Sequence, residues 1–161
     1  MENDILFLDS PFARFSRRTF LGILLTSVVA GIITLLLTLS INKVVLQPAL
    51  CTASEVATCT QSLQVSFHIA SVISAIVAVV MLVQASIYRP LLVAAAVTIS
   101  FWNIYSEYLA LAPWPLQLLT LVLLNVLGYF AFAWLLRTYN LVAALVSTLA
   151  LIVVVLLVTS L

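Results

Sequence analysis

Leu151-Ile152-Val153-Val154-Val155-Leu156-Leu157-Val158 is apolar at every position. A half-buried strand alternates apolar and polar residues, and so do the strands of a membrane β-barrel. An amphipathic helix keeps one polar face. This run has neither pattern, so no face of it is suited to water. It lies within an apolar stretch over residues 141–161, where the only hydroxyl side chains are Ser147, Thr148, Thr159 and Ser160. About 20 such residues cross the hydrocarbon of a bilayer as a helix. The β-branched side chains do not argue for a strand, because in lipid the backbone must satisfy its own hydrogen bonds.

Four more stretches of this kind precede it, at residues 19–41, 64–88, 91–112 and 115–136. The 161-residue chain is 65% hydrophobic and only 7% charged, whereas soluble domains are near a quarter charged. The expected fold is an all-α polytopic membrane protein, a compact bundle of five transmembrane helices. Residues 1–18 read as an interfacial tail on the cytoplasmic side. Residues 19–161 form one domain, with its one long loop at about 42–63 on the outer side. The net charge of +1 gives no reason to expect nucleic acid.

Basic residues set the orientation. With alternating spans, Arg14, Arg17, Arg18, Arg89 and Arg137 share one side and Lys43 falls on the other. Positive charge stays cytoplasmic, which predicts an N-terminus inside and a C-terminus outside, in the plasma (bacterial inner) membrane. Ser16-Arg17-Arg18-Thr19-Phe20-Leu21 has the look of a twin-arginine signal. The apolar stretch after it is longer than the roughly 7–15 residues of a leader, so the arginines read as anchors of a retained span. Spans without a central proline suggest straight, unbroken helices, and the chain has just three glycines, Gly22, Gly31 and Gly128.

Cys51 and Cys59 are the two cysteines. On the outer side they meet an oxidising compartment, and a disulfide between them is expected. Their place after the first span is similar to that of a pair in small thiol-redox enzymes of the vitamin K epoxide reductase type. Those enzymes carry a second Cys-x-x-Cys pair for electron relay, and this chain has no further cysteine. The wide spacing of Cys51, Cys59, His68 and Glu107 does not make a metal site, and no cofactor is expected.

Candidate binding chemistry rests on His68 and Glu107, ionisable residues placed inside spans, where such groups are costly. Gln64, His68 and Ser71 share one face of the second helix, and Ser100, Asn103 and Glu107 share one face of the third. With Gln117 and Thr120 they outline an outward-facing polar pocket for a small molecule or proton, with His68 opposite Glu107. Small residues mark packing seams: Gly22, Ser27 and Gly31 on the first helix, and Ser66, Ala70 and Ser74 on the second. Asn125 reads as a cross-helix hydrogen bond. The nucleophile, base and orienting groups of enzyme catalysis are missing.

The first functional expectation is therefore an interaction protein. It would be an accessory subunit, regulator or immunity-type protein that contacts lipid and another membrane protein, or a second copy of itself. The pocket is the alternative, and a thiol-redox or lipid-modifying enzyme is the weakest.

Overall fold

The computed structural model describes residues 17–50, 56–102, 113–137 and 141–160, with side chains in 17–48, 62–102, 113–137 and 142–157. Every element among the described residues is helical. Helix α1 spans Arg17–Ile41, runs through a π-helical turn at Asn42–Leu46 and continues as α2, Gln47–Leu50. Helices α3 (Val56–Gln84), α4 (Pro90–Ser100), α5 (Trp114–Leu135) and α6 (Leu141–Ser160) follow. Among the described residues three segments are long and apolar enough to cross a membrane: Arg17–Leu46, Ser62–Gln84 and Trp114–Leu135.

The distribution of residues is inverted relative to a protein in water. Leu25, Leu36, Ile76, Leu123 and Leu127 face outward, while Thr26, Ser27, Thr34, Thr38, Ser66 and Ser74 are buried. Lipid is as apolar as leucine, so large side chains gain little by moving inward. Small residues inside let the backbones approach, and close contact holds the helices together.

Helix α1 is central and packs along both α3 and α5. Its buried face, Thr26, Ala30, Thr34 and Thr38, repeats every four residues, as do Ser62, Ser66, Ala70, Ser74 and Ala78 on α3. The hydroxyls on this seam turn back to their own helices. Thr26 donates to Gly22 O at 2.8 Å, Thr38 to Thr34 O at 2.7 Å and Ser66 to Ser62 O at 2.8 Å. The polar atoms are thus satisfied without holding the helices apart. Ser74 is different: its hydroxyl crosses to Ala30 O on α1 at 2.9 Å.

The glycines lie where backbones meet. A Cβ on Gly22 would stand 2.6 Å from the Ala85 Cβ, and one on Gly31 would stand 2.9 Å from the Val122 Cα. At Gly128 a Cβ would meet the Phe101 ring at 2.8 Å. The three positions seat α1 on the end of α3, α1 on α5, and α5 on the end of α4.

Two expectations about continuity are corrected. The long loop at 42–63 is mostly helical, since residues 42–50 and 56–63 belong to helices. Asn42 and Lys43 are polar but do not break a helix. Pro48, which has no N–H to return to the preceding turn, follows a widened π turn in which the Gln47 N–H reaches Asn42 O. That turn places the buried Asn42 against α3, where Ser62 donates to Asn42 Oδ1 at 2.9 Å. We expect Asn42→Ala to lower stability by about 1 kcal/mol, in the range of measured interhelical bonds. Thermal unfolding of Asn42→Ala, Ser62→Ala and the double variant checks this, and additive losses would deny the coupling.

The third apolar stretch is not one helix through 91–112. Helix α4 ends at Ser100 after 11 residues, about 16 Å at 1.5 Å per residue and half the hydrocarbon thickness. Its start is also special. Arg89, just before Pro90, adopts the left-handed region at φ 56°, as does Ser86 at φ 55°. Proline disfavours the right-handed helical region for the residue before it. The Arg89 guanidinium lies 4.9 Å from the Tyr88 ring centre. Helix α6 packs on α4 and α5.

Candidate functional site

The end of α4 sets the site. At Phe101 the backbone leaves helical geometry, at φ −98° and ψ 8°. The Phe101 N–H still reaches Val97 O at 3.2 Å, and the Trp102 N–H reaches Ile99 O at 3.3 Å, a tightened last turn. A helix that stops leaves carbonyls without intrahelical partners. In hydrocarbon each such group costs several kcal/mol. His68 on α3 bonds the backbone just past this end: its Nε2–H donates to Trp102 O at 3.0 Å. The imidazole also stacks on the Trp102 indole, with ring centres 4.4 Å apart and planes within 15°. His68 therefore ties α3 to the turn that follows α4.

Next to this turn lies a small pocket of about 30 Å³ between α1, α3, α4 and α5. Phe67, Phe101, Leu121 and Leu124 form apolar walls, and Thr34, Ser71, Ser74, Thr98, Asn125 and Tyr129 supply polar atoms. Four of these hydroxyls donate to carbonyls: Thr34 and Ser74 to Ala30 O, Ser71 to His68 O, and Thr98 to Ala94 O, at 2.8–2.9 Å. A hydroxyl that donates still has acceptor lone pairs. Asn125 uses one amide N–H on Leu121 O at 2.8 Å, which leaves a second N–H and an oxygen in its inventory. The pocket thus offers several acceptors in an apolar shell, and none of its described lining residues is charged. Its middle position follows from the sequence numbers: Ser71 to Ala75 are near the centre of α3's apolar part, and Leu121 to Tyr129 are near the centre of α5.

The candidate residues divide as follows. Ser71 lines the pocket. His68 is bound to Trp102, one residue beyond Phe101. Ser100 is buried and donates to Ala96 O at 2.8 Å. Gln117 is buried in the first turn of α5, and Gln64 is half-buried. Asn103 and Glu107 lie outside the described residues, as does Cys51, and Cys59 falls in α3 where side chains are not described. The bond expected across helices for Asn125 runs within α5 instead. Thr34, Thr98 and Tyr129 join the site without having been singled out as site residues. Their one sequence signal is a polar atom near the middle of an apolar span. Among the described residues no group of three or more metal-ligating side chains gathers.

No known protein family, curated protein or solved structure matches the chain. The site therefore stands on its own geometry.

Proposed function

We propose that this protein binds a small, uncharged, lipid-soluble molecule within its helical bundle, and that it crosses the bacterial inner membrane five times with its N-terminus inside. The observation that carries the binding reading is the pocket beside the turn that follows α4. Non-helical backbone at membrane depth is tolerated where it is buried in protein or lines a cavity, and broken helices mark binding sites in many membrane carriers. Its described lining carries no charge to pair with an ion, which favours an uncharged ligand. It favours an alcohol, phenol or amide that donates to the waiting acceptors. This is a deeper site than one built on His68 and Glu107.

The threading is supported by a shared end of the bundle. One cavity is lined by Thr19 of α1, Tyr88 before α4 and Arg137 after α5. Arg17, Arg18, Arg89 and Arg137 thus cluster at one end, and Lys43 stands at the other. That asymmetry is the signature of a cytoplasmic face.

Photolabelling tests the binding. A medium-chain alkanol with a diazirine beside its hydroxyl is irradiated with the protein in lipid nanodiscs, and adducts are mapped by mass spectrometry. Adducts are expected on Ser71 to Ala75 and Leu121 to Tyr129, suppressed by excess unlabelled alkanol. Thr98→Val removes an acceptor at nearly constant shape and should weaken the competed signal by about two- to tenfold, the worth of one hydrogen bond. Labelling spread over lipid-facing positions and insensitive to competitor would count against the pocket.

A second reading, association with another membrane protein, is favoured by α6. Only Ala144 and Thr148 of its described side chains are buried, and the Thr148 hydroxyl has no hydrogen-bond partner there. Val142, Leu145, Val146, Leu149, Val153, Val154 and Leu157 are exposed and form an apolar surface for a partner.

A further inference from the structure

We propose that the cleft at the arginine-rich end of the bundle binds a phosphate group, carried on an anionic lipid or free in solution. This site lies apart from the mid-bundle pocket and does not depend on it. Thr19 of α1, Ser86, Ile87 and Tyr88 of the turn between α3 and α4, and Ala133 and Arg137 at the end of α5 line about 110 Å³ of space. One water needs roughly 10–15 Å³, so a group of several heavy atoms has room. The lining offers three hydroxyls and one guanidinium as donors. No carboxylate is among them. The chain's five acidic residues, Glu2, Asp4, Asp9, Glu55 and Glu107, all lie outside the helices and the turn that form the cleft. Helices begin and end together here, so their dipoles largely offset and the arginines set the sign. Arg137 supplies the planar fork that pairs with phosphate oxygens. Arg89 adds charge beside the cleft. Its guanidinium lies 4.9 Å from the Tyr88 ring centre, and its Nη1 is buried with no hydrogen-bond partner among the described residues.

The turn carries a backbone cost that the cleft accounts for. The Ile87 N–H returns to Leu82 O at 3.1 Å, and the Ser86 N–H to Val83 O at 3.0 Å. This pair of bonds closes α3 with Ser86 in the left-handed region, at φ 55°. Glycine is the usual residue at that position and holds it with less strain. Serine instead places a hydroxyl in the cleft. The exposed Tyr88 and Trp134 put this end of the bundle at headgroup depth. Basic pockets between helices receive anionic headgroups there.

Native mass spectrometry of the detergent-solubilised protein tests the site with phosphatidic acid and with diacylglycerol of the same chains, which lacks the phosphate. Phosphatidic acid should be retained about tenfold more tightly. Arg137→Gln should remove that preference, and Lys43→Gln, at the other end, should leave it unchanged. Ser86→Gly should reduce it about two- to tenfold, the worth of one hydrogen bond, while lipid-free thermal stability holds or rises. Inorganic phosphate separates the two sources. If phosphate alone raises the thermal stability of the native protein but not of Arg137→Gln, the site takes free phosphate; if only phosphatidic acid is retained, it takes the headgroup. Equal retention of the two lipids with no effect of inorganic phosphate overturns the proposal. So does a preference that Arg17→Gln lowers as much as Arg137→Gln, since that marks diffuse attraction to exposed charge. Should Arg137→Gln not fold, Ser86→Gly decides, and an undiminished preference in that variant overturns the site.

Discussion

Gly31→Leu should abolish the folded bundle, while Ile32→Leu next to it should be silent. Even the first added carbon at Gly31 would sit 2.9 Å from the Val122 Cα, 3.2 Å from its nitrogen and 3.1 Å from its Cγ2. Carbon atoms pack at about 3.5–4.0 Å. Two of the three obstacles are backbone atoms, so no rotamer change relieves the clash. Helix α5 is also fixed from its other side, where Gly128 receives the Phe101 ring. Alanine at Gly31 should cost about 1–3 kcal/mol, the range for overpacking a tight core, and leucine more than a small bundle retains. Size-exclusion profiles in mild detergent would read this directly. A monodisperse, thermally normal Gly31→Leu protein would mean that α1 and α5 do not approach as described.

Ala75→Phe should separate binding from stability. Ala75 is half-buried and lines both the pocket and the open outer face between α3 and α4. A ring placed there exceeds the pocket's room of about 30 Å³ and turns in part to that open face, so thermal stability should fall by no more than about 1–3 kcal/mol. The same ring occupies the ligand's position, so competed photolabelling should fall by at least about tenfold. If the pocket were only a packing defect, the stability result would be the same, but any cellular function of the protein would survive. Loss of labelling together with loss of folding would return no support to the pocket, and a retained signal in a folded Ala75→Phe protein would oppose it.

The membrane character and the helical class were legible because hydropathy acts residue by residue. A run such as Leu151 to Val158 needs no tertiary information. The four-residue repeats of small side chains on α1 and α3 were also visible, since a face is defined by spacing alone. The end of α4 was not. Residues 101–112 include Asn103, Ser106 and Glu107 but no glycine and no proline, so no helix breaker marks a stop at Ser100. The turn after it is bonded by His68, 34 residues before Trp102, and that pairing exists only in the folded chain. The helical segment 42–50 was hidden for the opposite reason: Asn42, Lys43 and Pro48 look like loop residues, yet Asn42 is held by Ser62 across the bundle. The pocket was invisible because its hydroxyls are spread over four helices and each, alone, is an ordinary back-bonded serine or threonine.

The central place of α1 has a consequence for biosynthesis. It leaves the ribosome before its partners, and the surface that Val122 covers on Gly31 waits for α5. About 90 residues separate the two positions, and synthesis at roughly 5–20 residues per second makes that wait roughly 5–20 s. Through it, the bare backbone at Gly31 faces lipid or the insertion machinery. Slowing translation after α3 would lengthen the exposure. The nascent chain is then most open to mispairing with small-residue helices of other proteins, and its yield should depend on how fast α5 arrives.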